Sequence, residues 1–397
     1  LKKRASAALP ISRNPFPGVI FLEFPWPFLY AVPVGFPCRP PGATPGTAGP
    51  AVPTKQKEES DPMKRIALIL LSLSMVVFLA GCGGGEKPAA GKGEAKMELK
   101  LASMTPTSHT YNQGAAKFVE LVKQRSNGRI DIKIYPEGQL GKGERELLEA
   151  IQQGTIDAYV GSTAPLSGFS PSMGILDLPF LFRDYAHVDK VLDGPVGRQL
   201  MDEIEKAGMK GLAFWENGFR NLTNSKRAVK APADAKGLKI RTQENKIHLA
   251  AWKAVGVNPV PMAWGEVYGA LQQKAIDGQE NPIAVIHSVK LNEVQKYLTL
   301  SQHVYSPAMI IISLKKWQSF SKEDQDLLMK AALETAAYQR KLGRDNEEKQ
   351  IAELAAKGMS VTKDVDKTAW LKAMKPALEE FIPQFGKDRV DAIQAVK

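Results

Sequence analysis

The sequence predicts an α/β protein of two similarly built lobes facing one cleft. Three observations carry this. From Met97 onward, short apolar or alternating stretches are separated by amphipathic runs of about 10–15 residues, the pattern of strands laid parallel with helices between them. The octet Ala150-Ile-Gln-Gln-Gly-Thr-Ile-Asp157 is echoed by Ala270-Leu-Gln-Gln-Lys-Ala-Ile-Asp277, so a helix–turn–strand unit closing on Asp occurs twice. After Ser321 no Pro occurs as far as Lys357, and Gly343 alone interrupts a helical pattern too long for a single lobe.

Each element has a local reason. Leu99 and Leu101 alternate with polar neighbours and predict a strand; Ile130, Ile132 and Ile134 predict the next. Between them Asn112–Asn127 carries Ala115, Phe118, Leu121 and Val122 on one helical face, with Gly128 placed to end it. Glu144–Gln153 is a helix stopped by Gly154, and Ile156–Val160 a short strand. Pro195–Ala207 begins with Pro at the first helical position, and Met209–Phe214 is a strand. The scheme restarts with a strand at Leu238–Thr242, a helix at Asn245–Val255, an extended Val257–Pro261 and a helix at Gly265–Gln273. Ala275–Asp277 then leads into a loop. Ser321 and Asp324 form a capping box for the long helix, and Asp366–Phe381 and Lys387–Val396 add two more.

The first hundred residues differ. Residues 1–62 are rich in Pro and Gly, and the apolar stretch Asn14–Pro37 holds six prolines, which rule against a membrane-spanning helix. Met63 opens a new pattern: Lys64-Arg65, the apolar run Ile66–Ala80, then Gly81-Cys82, which is a signal peptide over 63–81. Met63 is read as the start, with residues 1–62 an upstream segment that is non-translated or disordered. Residues 82–97 are Gly-, Ala-, Lys- and Glu-rich and read as a flexible tether.

Of the two cysteines, Cys38 lies upstream and Cys82 at the signal cut site, so the folded part holds no thiol for a disulfide, a metal or a nucleophile. Removing residues 1–81 takes away nine basic and four acidic side chains, and the net charge falls from +11 to +6. No basic run is interleaved with aromatics, which argues against nucleic acid, while a mildly cationic surface suits an anionic solute. No Gly-x-Ser-x-Gly occurs, Gly91-Lys92 lacks the earlier Gly of a phosphate loop, and the five His residues show no zinc-like spacing. An enzyme, a metal and a cofactor are not expected.

Binding-type groups remain. Arg220 lies in Gly218-Phe-Arg-Asn-Leu-Thr-Asn224, and Arg241 ends Lys236-Gly-Leu-Lys-Ile-Arg241. A guanidinium is a rigid fork of donors that matches a carboxylate. Glu280-Asn281-Pro282 follows the Asp277-Gly278 turn, and Trp264 offers an apolar face to a solute.

From Leu99 onward the chain resembles the DctP-type binding subunits of TRAP transporters, the tripartite ATP-independent periplasmic carriers. The resemblance rests on Tyr135-Pro-Glu-Gly-Gln-Leu-Gly141, Leu178-Pro-Phe-Leu-Phe182, Gly218-Phe-Arg-Asn-Leu-Thr-Asn-Ser225, Lys236-Gly-Leu-Lys-Ile-Arg241, Ala270-Leu-Gln-Gln, Asp277-Gly-Gln-Glu-Asn-Pro282 and Glu293-Val-Gln-Lys-Tyr297, in that order. Leu79-Ala80-Gly81-Cys82 likewise resembles the site at which bacterial lipoproteins are cut and Cys82 is lipidated.

The family implies a two-lobed, periplasmic-binding-protein-like fold with a long spanning helix and the ligand cleft between the lobes. Lobe I is expected over 98–217 and 307–346, lobe II over 218–306 and 347–397. By carry-over Arg241 pairs with the solute carboxylate, Arg220, Asn281 and Glu280 assist, and Trp264 faces the pocket. Ser162 and Met104 stand where members that bind large hydroxylated solutes carry polar groups, which argues against sialic-acid-like solutes. A C4-dicarboxylate, a 2-oxo or hydroxy acid or a sugar acid is expected, passed to ion-gradient-driven membrane carrier subunits. The protein is expected to be a lipid-anchored, extracytoplasmic monomer, in the periplasm or on the outer face of the cytoplasmic membrane. The competing reading is a solute-sensing lipoprotein partner of a membrane sensor kinase.

Overall fold

The computed structural model describes residues 96–397. The upstream segment, the signal pattern, Cys82 and nearly all of the tether lie outside the described residues. Ten strands, β1 (Met97–Ala102), β2 (Ile130–Tyr135), β3 (Ala158–Ser162), β4 (Met209–Asn224), β5 (Lys239–Thr242), β6 (Asn258–Pro261), β7 (Gly278–Pro282), β8 (Tyr297–Thr299), β9 (Tyr305–Ser313) and β10 (Ser360–Thr362), join in the order β2-β1-β3-β9-β4-β7-β5-β6. β8 and β10 lie off that path, β8 paired with β4 and with β10.

The strand over Met209–Phe214 extends much further than its sequence suggests. β4 is 16 residues long: Met209–Phe219 runs antiparallel to β9, and Arg220–Asn224 antiparallel to β7. One strand thus belongs to both halves of the fold. Its register shifts between Glu216 and Gly218, a bulge that bends the strand where it passes from one half to the other. Gly218 has φ +120°, which only Gly holds without strain.

The sheet is mixed rather than parallel. β1 with β2 and β3, and β5 with β6 and β7, are parallel, as the strand–helix alternation predicts. β9, however, inserts antiparallel between β3 and β4. That strand comes from a distant part of the chain, and no local pattern announces which edge it fills. The stretch after Asp277 is likewise a strand, β7, and not a loop.

The helices that matter here are α1 (Thr110–Arg125), α2 (Glu144–Gln153), α3 (Lys246–Ala254), α4 (Trp264–Gln272) and α5 (Lys322–Ala356). α1 begins two residues before the expected Asn112, because His109 caps it by accepting from the Tyr111 amide. α5 is capped by Ser321, whose Oγ accepts from Asp324 N at 3.1 Å. At 35 residues it is about 50 Å long. It packs on α1, on β4 and on the short helix Ile283–Ser288. Arg344 on α5 pairs with both Glu216 and Asp189, and Arg340 with Asp189 and Asp193. These pairs pin the helix beside the bend of β4.

The repeated octet is repeated in space. α2 leads through Gly154 (φ 76°) into β3, and α4 leads through Lys274 (φ 58°) into β7. Asp157 accepts from Lys100 N on β1 at 2.8 Å, and Asp277 from Lys239 N on β5 at 2.8 Å. Each Asp ties its unit to the neighbouring parallel strand.

Candidate functional site

A small cavity of about 20 Å³ lies where the carboxyl ends of β1, β3 and β5 meet the β4–β7 pair. Such crevices at strand ends are where α/β sheets bind ligands.

Arg241, on β5, is 2% exposed and lines the cavity. Its Nε and Nη2 donate to the Met262 carbonyl at 3.0 and 2.7 Å. Nη1 has no acceptor, and no carboxylate pairs with the guanidinium among the described residues. The guanidinium carbon lies 5.4 Å from the centroid of the Trp264 ring. Burial pulls the Arg241 pKa down to about 10; Glu144 opposes that shift and the nearby Arg220 charge adds to it. This is a buried cation with no carboxylate in ion-pair contact among the described residues, a chemistry suited to an anion.

Arg220 is placed differently from its expected role. It sits in the interior of β4 and does not line the cavity. Nε meets Glu280 Oε2 at 2.5 Å, and Nη2 meets Glu280 Oε1 at 2.9 Å and Asn281 Oδ1 at 3.1 Å. Glu280 also lies behind the cavity wall, and His303 Nε2 is 3.1 Å from its Oε2. Burial disfavours the Glu280 carboxylate, but the Arg220 charge and the bonds from His303 and Arg220 prevail and hold its pKa well below the usual range. Both side chains are therefore committed to each other. Their part is to fix Asn281, which does line the cavity.

Ser162, Met104 and Trp264 line the wall. Ser162 Oγ is bound to Ser306 Oγ at 3.1 Å, and Asn217 Nδ2 donates to the same oxygen at 3.3 Å. The sequence reading missed Glu144, Tyr111, Tyr159 and Asn217, all on the wall. Glu144 is the first residue of α2 and has no hydrogen-bond or ion-pair partner among the described residues. A signal for it was present. Carried back six positions, the repeated octet aligns Glu144 with Trp264, the first residue of α4. Two equivalent helix starts thus face one cavity. Burial raises the pKa of Tyr111 and Tyr159 well above the ordinary value, so both phenols keep their protons.

The same two helix starts close the rim. Gly265 N donates to Lys142 O at 3.2 Å, and a Cβ on Gly143 would stand 3.0 Å from that of Ala263.

Two sheet halves sharing one crossing strand, a long helix against the bend and an unpaired buried guanidinium in the crevice define an organic-acid-binding protein of the two-lobed periplasmic type. The family described as bacterial extracellular solute-binding protein, family 7 (DctP) matches residues 101–384, and the chain belongs to it. It is a TRAP-type solute-binding subunit; the family binds small organic acids and is not one of enzymes. The chain is 38% identical over 332 residues to the 2,3-diketo-L-gulonate-binding periplasmic protein of Escherichia coli, covering 83% of this chain and 99% of that one. A TRAP periplasmic solute-binding protein from Polaromonas sp. JS666, bound to D-erythronate, superposes with a TM-score of 0.75 at 44% identity, over 76% of this chain and 99% of that one. The sugar-acid-binding protein of Advenella mimigardefordensis, in complex with galactonate, does so with a TM-score of 0.73 at 33% identity, over 76% and 98%. Membership of this family makes the protein extracytoplasmic. No helix of the described residues is long and apolar enough to cross a membrane.

Proposed function

We propose that the protein captures a hydroxylated monocarboxylate, a sugar acid of about four to six carbons, and delivers it to the membrane subunits of a TRAP carrier. One observation carries the choice: the cavity wall holds one unpaired guanidinium, Arg241, and one unpaired carboxylate, Glu144. The solute carboxylate takes Arg241. A second carboxylate, as in a C4-dicarboxylate, would meet Glu144 and be repelled in a poorly hydrated space. Hydroxyl groups would instead donate to it. Relatives that bind 2,3-diketo-L-gulonate, D-erythronate and galactonate support the same class.

Binding favours closure because Arg241 on β5 and Glu144 on α2 reach one solute from opposite halves. The halves are taken as lobe I (98–217 and 307–346) and lobe II (218–306 and 347–397), with anchoring through lipidated Cys82 and a monomeric state. The reading is tested by thermal shift and calorimetry of the purified protein against aldonates, 2-oxo acids and succinate. Stabilisation by succinate and by no aldonate would reject it.

A further inference from the structure

Tyr159 and Gly161 lie two residues apart on β3, on the same face. A Cβ built on Gly161 would stand 1.9 Å from the Tyr159 hydroxyl oxygen and 2.3 Å from its Cζ. The phenol is therefore laid back along the strand over Gly161, in space that any other residue at 161 would fill. Tyr159 is wholly buried, and its hydroxyl has no hydrogen-bond partner. Two more polar atoms of the same wall share that condition: the Tyr111 hydroxyl and Asn217 Oδ1, in residues 3% and 8% exposed. Buried polar atoms are nearly always paired. Three unpaired ones around one small cavity point to partners that a solute brings. Phenols donate and accept, and an amide oxygen accepts, which is the complement of hydroxyl groups. A bare alkyl chain would leave all three unpaired.

We propose that Gly161 is a specificity-determining position: by lacking a Cβ it holds the Tyr159 phenol against the strand, where its hydroxyl, with Tyr111 and Asn217, reads the solute hydroxyls beyond the carboxylate. This rests on the reading of the cavity as a hydroxy-acid site with the carboxylate at Arg241.

The test is calorimetry of the purified protein, as wild type, Tyr159→Phe and Gly161→Ala, with four- to six-carbon aldonates and with butyrate. Wild type is expected to prefer an aldonate. Tyr159→Phe weakens that aldonate about tenfold and leaves butyrate, which has no hydroxyl, within about twofold, since only a hydroxyl contact is lost. Gly161→Ala displaces the phenol and narrows the same preference. If Gly161→Ala does not fold, Tyr159→Phe carries the test alone. A Tyr159→Phe protein that keeps the wild-type preference overturns the proposal and leaves the carboxylate at Arg241 standing. A wild type that binds none of these acids overturns both.

Discussion

Arg220 and Glu280 form an ion pair from which water is wholly excluded: Nε and Oε2 are 2.5 Å apart, and neither side chain is exposed. Arg241, one strand away across β7, is nearly as buried and has no carboxylate partner. The two arginines are thus placed differently, one in an ion pair behind the wall and the other on the cavity without a carboxylate partner.

Breaking the pair from one side leaves a charge buried alone. Arg220→Ala or Glu280→Ala is expected to lower stability by about 3–5 kcal/mol, read as the urea midpoint of the solute-free protein. The double change Arg220→Met with Glu280→Leu is expected to cost less than either single change, because no orphaned charge remains. A midpoint unmoved by the single changes would contradict the pairing.

Arg241 should behave in the opposite way. Arg241→Ala is expected to reduce solute affinity by at least about 100-fold, on roughly 1.5–3 kcal/mol for each charge-assisted bond lost. The solute-free protein should lose no stability and is expected to gain some, since the removed charge is buried without a carboxylate partner. Arg241→Lys should fall between, because an ammonium cannot replace the fork. Calorimetry and thermal melting of the three proteins check this; wild-type affinity in the Ala protein would remove Arg241 from the site.

Acid sensitivity has an identifiable source. His109 Nδ1 accepts from Tyr111 N at 3.1 Å, and Nε2 is buried without a partner. Burial lowers its pKa from 6.5 to about 3. Below pH 6.5 the unfolded chain takes up a proton that the folded one refuses. Stability is therefore full above that pH and falls as the pH drops towards 3, by up to about 1.4 kcal/mol per pH unit. Glu280, held low in the fold, adds a second loss below the ordinary Glu value of 4.5. His109→Asn keeps a side-chain cap on α1 and should flatten the slope between about pH 4.5 and 6.5. Urea midpoints across that window measure it, and an unchanged slope would exonerate His109.

The rim contact should control release. A Cβ on Gly265 would stand 2.7 Å from the Lys142 carbonyl oxygen to which Gly265 N donates. Gly265→Ala is expected to speed solute dissociation about tenfold by making the closed state less populated, with the solute-free melting temperature unchanged. Stopped-flow Trp fluorescence reports the rate, since Trp264 lines the cavity. Equal dissociation rates would mean that this contact takes no part in closure.

Much of this was legible along the chain. Glu144–Gln153 is the helix its periodicity and Gly154 predict, and Ser321 starts the long helix as its capping pattern predicts. Arg241 and Trp264, singled out along the chain, both lie on the cavity wall, and the echo of Asp157 in Asp277 is a repeated contact. The second half of β4 was not legible. Trp215–Asn224 carries polar residues that are buried on both faces, so no alternation betrays a strand.

By itself, then, the sequence determined the elements, the repeated unit and the residue types fit for a carboxylate, because periodicity, caps and turns act over a few residues. The tertiary structure decided that β9 enters antiparallel beside β3, that Glu280 takes up Arg220 and leaves Arg241 free, and that Glu144, Tyr111 and Tyr159 share one wall. Those outcomes depend on which distant strands pair and which buried charge meets a partner first, and neither is encoded at any single position.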